Sequence, residues 1–103
     1  MIDLIERQRP QIEVLCRRFQ VKRLEVFGSA AEAGRFDPAR SDMDFLVEFM
    51  PEAETRVAEL YLDLIAALHD LLRRDVDVVM ARAIRNPYFR QVVDRSRRTL
   101  YAA

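Results

Sequence analysis

Apolar residues recur along the chain with two different periods, and the changes of period mark out the elements. Ile12, Leu15, Cys16 and Phe19 fall three and four apart, the stripe of an amphipathic helix. Pro10 is expected in the first turn of that helix, with residues 2–9 adding a preceding turn or helix. From Arg23 to Phe27 the period shortens. Leu24 and Val26 alternate with Arg23 and Glu25, and the run ends in Gly28 and Ser29, as a short strand entering a turn does. After a polar stretch holding Gly34, Asp37 and Pro38, Met43 to Phe49 is apolar enough for a second strand, stopped by Pro51. Val57, Leu60, Tyr61, Leu64, Ile65, Leu68, Leu71 and Leu72 make the longest helical stripe, and a third strand is expected at Val76 to Met80. Asn86 and Pro87 have the form of an N-cap and a first helical residue. Phe89, Val92, Val93, Ser96 and Leu100 then carry a last helix to the C-terminus.

This order of helices and strands, without repeats or a linker, predicts one α/β domain over residues 1–103, with a small mixed sheet of about three strands packed with helices. A full helix lies between the second and third strands, which favours parallel pairing; the shorter link between the first and second allows antiparallel neighbours. Under that topology Gly28 and Ser29, at the end of the first strand, sit near the beginnings of the other two. Asp42, Asp44 and Asp77 lie there.

Composition removes several classes of function. Half the residues are apolar and a third charged, with two Gly and four Pro, which excludes collagen-like and disordered chains. Seventeen basic residues balance seventeen acidic ones, so long nucleic acid is not an expected partner. No stretch approaches the roughly 18 apolar residues of a membrane span, the charged opening MIDLIERQRP is unlike a signal peptide, and Cys16 has no partner for a disulfide. The expected compartment is the cytoplasm. Sixteen of the basic residues are Arg and only Lys22 is Lys, which reads first as genome composition.

The chemistry concentrates in the segment SDMDF. Asp42 and Asp44, two apart at a strand start, point to the same face while Met43 points to the other. Two carboxylates side by side repel each other unless a cation sits between them, and hard oxygen ligands suit Mg²⁺. Asp77, among Val76, Val78 and Val79 on a strand expected to be largely buried, would supply a third carboxylate and complete a site for two divalent ions. At Gly28 and Ser29 a small residue followed by a hydroxyl lets backbone amides approach phosphate oxygens.

Together, VFGS, SDMDFLV, the leucine-rich helix, DVDVV and the closing RTLY resemble the nucleotidyltransferase superfamily of DNA polymerase beta, most closely its minimal branch, over the whole chain. The resemblance implies a polymerase beta-like nucleotidyltransferase fold. It implies that Gly28 and Ser29 contact the β and γ phosphates of a nucleoside triphosphate, that Asp42 and Asp44 ligate two Mg²⁺ ions, and that Asp77 is the third acid. It further implies transfer of AMP, or another NMP, from a triphosphate such as ATP with release of pyrophosphate. Small members of the family are commonly encoded beside a HEPN-domain toxin and act as its antitoxin by binding it or by nucleotidylating a tyrosine. Two features depart from the family pattern. Twelve residues, Ala30 to Ser41, separate Gly-Ser from Asp-x-Asp, more than is usual, and Ala30, Ala31, Glu32 and Ala33 stand where Arg usually follows Ser. Arg35 or Arg40 is expected to supply that charge from the longer loop, with Ser41 counted among the nucleotide-binding residues.

Plainer roles are open for several of these residues. Ser41 and Asp42 are also common turn residues, and Asp75, after Arg73 and Arg74, reads as a solvated turn acid beside the preferred Asp77. Glu48 is expected to face solvent. His69 is expected at the surface of the long helix and Cys16 in the core. Arg90, Arg95, Arg97 and Arg98 read as a solvated helix face, with a protein or RNA interface as the sharper alternative. The leading expectation is a Mg²⁺-dependent nucleotidyltransferase acting on a hydroxyl of a HEPN-domain partner encoded by a neighbouring gene. The alternative is a catalytically weakened protein of the same fold that neutralises its partner by occlusion.

Overall fold

In a computed structural model, which describes residues 1–37 and 42–103, the elements follow the order α1 (Asp3–Arg18), β1 (Val21–Phe27), β2 (Met43–Phe49), α2 (Val57–Leu72), β3 (Val76–Met80), α3 (Pro87–Ser96) and β4 (Arg98–Ala102), with short 3₁₀ turns between several of them. The strands form one mixed sheet in the order β3-β2-β1-β4. β1 runs antiparallel to both β2 and β4, and β2 runs parallel to β3, the pair joined through α2.

Alternation along the strands sorts side chains to two faces. Leu24, Val26, Met43, Phe45, Val47 and Val78 turn to one face and form the main core with Ile5, Ile12 and Cys16 of α1 and Leu64, Leu68 and Leu72 of α2. Phe27 and Leu46 turn to the other face, where Val93 of α3 covers them and Val79, Ala81 and Ile84 pack alongside. Because α3 supplies only a small cluster there, part of this second face stays accessible. Among the described residues no helix is long and apolar enough to cross a membrane.

Three elements differ from expectation. Pro10 lies inside α1, which runs through it as one helix instead of starting near it. Proline removes one helical hydrogen bond and costs about 3 kcal/mol in a helix interior, but Ile5 on one side of it and Ile12 and Cys16 on the other are fully buried, and their burial outweighs that cost. The last helix does not reach the C-terminus. It stops at Ser96, Arg97 turns the chain with extended angles (φ −60°, ψ 135°), and Arg98–Ala102 becomes a fourth strand. That strand covers the edge β1 would otherwise expose, pairing Leu24 with Tyr101 and Val26 with Arg98. The first strand also starts earlier, at Val21. The N-cap reading holds: Asn86 Oδ1 accepts hydrogen bonds from the Tyr88 and Phe89 amides at 2.9 and 3.4 Å.

Candidate active site

Two ladder positions build the site. Phe27, the last residue of β1, stands opposite Asp44, and Asp44 stands opposite Asp77 on the parallel neighbour β3. Residues opposite one another across a ladder project to the same side. The two carboxylates therefore share the face that α3 covers only in part, one half-buried and the other exposed. Asp42, directly before β2, is exposed and close enough to act electrostatically on Asp44.

The Asp44 carboxyl is pushed up from 3.8 to about 6, first by its burial and then by the charges of Asp77 and Asp42. The direction is that of acids brought together without a counter-charge. A hard divalent cation would remove the repulsion, and the donors are carboxylate oxygens of the kind Mg²⁺ accepts. The residues thus fit such an ion by charge and donor type. Among the described residues, no three acidic, His or Cys side chains are gathered closely enough to hold one as they stand.

Gly28 follows Phe27 and opens a 3₁₀ turn over Gly28–Ala31. Its φ of +72° lies in the left-handed region, and a Cβ there would sit 2.8 Å from Asp44 Oδ2. Glycine is required on both counts: for the backbone angle and for the space above the carboxylate. The turn is pinned from outside and closed by its own capping bond. The Ile2 amide donates to the Ala30 carbonyl at 3.0 Å, and the Glu32 amide to that of Ser29 at 3.1 Å. Ala30 and Ala31 are buried and Ser29 is partly accessible at the front of the turn.

The remaining expected residues divide into those placed near this centre and those engaged elsewhere. Arg35 is exposed, and its Nη1 lies 2.8 Å from Glu32 Oε2, so its charge is balanced within its own turn. Arg40 and Ser41 fall outside the described residues. Asp75 precedes β3 and lies 3.6 Å from His69 Nε2, away from the ladder that pairs Asp44 with Asp77. His69 is exposed, as is Glu48, which lies 3.6 Å from Lys22 Nζ. Cys16 is fully buried and its thiol is pushed up to about 12, chiefly by burial.

The sequence reading missed one group on this face. Glu25, two residues before Phe27, is the one charged residue buried among the described residues. It receives Arg97 Nε and Nη2 at 2.7 and 2.8 Å and Arg23 Nε at 2.7 Å. Arg97 also reaches Asp94 at 2.7 Å. Arg97 therefore does not belong to a solvated helix face but clamps the α3–β4 junction to β1. A charged residue between Leu24 and Val26 was the available signal, but solvent exposure is the commoner meaning of such alternation.

Comparison with known proteins agrees with this fold. The family model described as "Nucleotidyltransferase domain" matches residues 9–100. A Methanocaldococcus jannaschii protein that carries the name of a protein adenylyltransferase is 35% identical over 82 residues, 80% of this chain and 79% of its own. A solved structure described as a minimal nucleotidyltransferase superposes with a TM-score of 0.74 at 33% identity, covering 94% of this chain and 95% of that one. The Shewanella oneidensis complex of a tri-AMPylated HEPN toxin with its MNT antitoxin gives a TM-score of 0.62 at 19% identity, with 95% and 72% coverage, a likeness of fold. The chain belongs to the nucleotidyltransferase domain family, in its minimal branch, and is an enzyme of the nucleotidyl-transferring class.

Proposed function

We propose that this chain transfers AMP from ATP to a hydroxyl group, a tyrosine of a HEPN-domain protein encoded beside it, and thereby acts as that protein's antitoxin. The observation that carries the reading is the placement of Asp44 and Asp77 side by side on adjacent parallel strands, under a glycine that leaves the space above Asp44 open. The adenylyltransferase name of the M. jannaschii relative and the AMPylated toxin held by a protein of the same fold support the choice of AMP and of a protein acceptor.

Asp42, Asp44 and Asp77 are the residues that would hold two Mg²⁺ ions. When bound, such ions offset the charge of the triphosphate and make an acceptor hydroxyl easier to deprotonate. The protein contributes the remainder. Gly28 keeps side-chain bulk away from the carboxylate, the partly accessible Ser29 would offer its hydroxyl and amide to the phosphates, and exposed Asp77 would meet the acceptor hydroxyl and take its proton. The hydroxyl oxygen forms a bond to the α-phosphorus as the bond to the bridging oxygen breaks, and pyrophosphate leaves.

The ion pair of Arg35 with Glu32 favours a second reading, in which the triphosphate lacks its arginine and the protein neutralises its partner by occlusion without turnover. Co-expression with the HEPN-domain neighbour, affinity purification and intact-mass measurement separate the two. A partner heavier by one or more AMP units supports transfer, and an unmodified but inhibited partner supports occlusion. Failure to co-purify, with no change in mass, overturns both.

A further inference from the structure

Ser96 is a polar residue on an apolar stripe. It follows Val93 by three positions and Phe89 by seven on the side of α3 that packs against the sheet, and it is only 6% exposed. A hydroxyl buried at such a position costs free energy unless it is hydrogen-bonded. Its partner is distant in sequence: the Gly28 amide donates to Ser96 Oγ at 2.7 Å.

The donor explains the arrangement. Phe27 is the last residue of β1 in the ladder, and the left-handed angle at Gly28 turns the chain out of the sheet. The Gly28 amide is left without a strand partner at the point where the chain passes over Asp44, and Ser96 supplies one. The serine is itself held in place, because the next residue, Arg97, is bonded to Glu25, and Arg98 is already in register with Val26. The end of α3 thus grips β1 on both sides of Phe27, through Glu25 before it and Gly28 after it.

We infer that Ser96 is a positioning residue for the nucleotide site, fixing the Gly28–Ser29 turn above Asp44 through the Gly28 amide. The inference rests on the transfer reading only for its effect on turnover; the hydrogen bond can be tested without it. A loose turn lets Ser29 and the backbone beside it move relative to Asp44, so the loss falls on the binding of the triphosphate. A merely structural serine would lower the folded fraction, and with it apparent kcat, and leave KM for ATP unchanged.

The test combines amide hydrogen exchange with steady-state kinetics on Ser96→Ala and Ser96→Thr. In the wild-type chain the Gly28 amide should exchange slowly, and in Ser96→Ala at least about tenfold faster, while Leu24 and Val26 keep their protection. KM for ATP in the presence of Mg²⁺ should rise roughly tenfold in Ser96→Ala, the scale of one lost hydrogen bond, and return most of the way in Ser96→Thr. Unchanged exchange at Gly28 in Ser96→Ala overturns the inference whatever the enzyme does, and so does a fall in kcat with KM unaltered. A wild-type chain that transfers no AMP overturns the transfer reading, and the exchange data then decide the role of Ser96 alone. Should Ser96→Ala not fold, a rapidly exchanging Gly28 amide in the wild type overturns the inference and a protected one supports it.

Discussion

Asp44 on β2 and Asp77 on β3 stand directly opposite one another across a parallel ladder, two acids in register with no basic side chain between them in either strand. Burial and this neighbour, with Asp42, raise the Asp44 carboxyl to about 6. Near neutral pH, where Asp44 is ionised, the metal-free protein carries the burial of that charge and its repulsion by Asp77 and Asp42 as a loss of stability. Asp44→Asn should therefore raise the melting temperature of the metal-free protein, by an increment of about 1 kcal/mol once screening at a half-exposed site is allowed for. Mg²⁺ should raise that of the wild type more than that of the variant. A metal-free variant less stable than the wild type would contradict this electrostatic description.

Gly28 and Asp44 are coupled by contact. Gly28→Ala meets both the left-handed φ and Asp44 Oδ2, which a Cβ would approach to 2.8 Å. The expected cost is about 2 kcal/mol, most of it from the backbone angle. Combining Gly28→Ala with Asp44→Ala should recover the part due to the contact, so denaturation of the two single variants and the double one should give non-additive free energies. Strict additivity would show that the carboxylate moves aside at no cost.

The ion pairs of Glu25 contribute to the stability of the fold against acid. Hydrogen bonds from Arg97, then from Arg23, hold its carboxyl below its ordinary 4.5 despite burial. A group lowered on folding contributes stability that is full above its unfolded value and lost as the pH falls through its folded value. The contribution of Glu25 should therefore be complete at neutral pH and decline below about pH 4.5. Arg97→Ala should cost about 2 to 3 kcal/mol at pH 7, because it leaves a buried carboxylate short of its main partner, and should flatten the fall in stability between pH 5 and 3. Urea titrations across that range measure both effects.

Much of this architecture follows from local pattern. β2, α2 and β3 run as the sequence reading has them because each is a run of one period bounded by Pro51, by Arg73 and Arg74, or by the turn after Met80. Pairing of β1 with β2 brings Gly28 beside Asp44, as the position of both at strand ends implies. The fourth strand was not legible, because Leu100 lies four residues after Ser96 and continues a helical stripe as well as it fits a strand. What decides between them is the open edge of β1, a property of the assembled sheet. Pro10 shows the same dependence on context: its local preference for a helix start gives way to the burial of Ile5 and Ile12. Ser96 and Arg97 lie about seventy residues from Glu25 and Gly28, so the group these four form appears only once α3 is laid across β1.

Transfer of label from ATP labelled at the α-phosphate, with Mg²⁺ and the co-purified HEPN-domain partner as acceptor, is the most direct measurement of the proposed chemistry. Wild type, Asp44→Asn, Asp77→Asn and Asp75→Asn are compared side by side. The expected result is transfer by the wild type and by Asp75→Asn at similar rates, with losses of at least about a hundredfold in Asp44→Asn and Asp77→Asn. Wild-type rates in Asp44→Asn, or a loss in Asp75→Asn as large as that in Asp77→Asn, would contradict the assignment of the reaction to the Asp44 and Asp77 ladder.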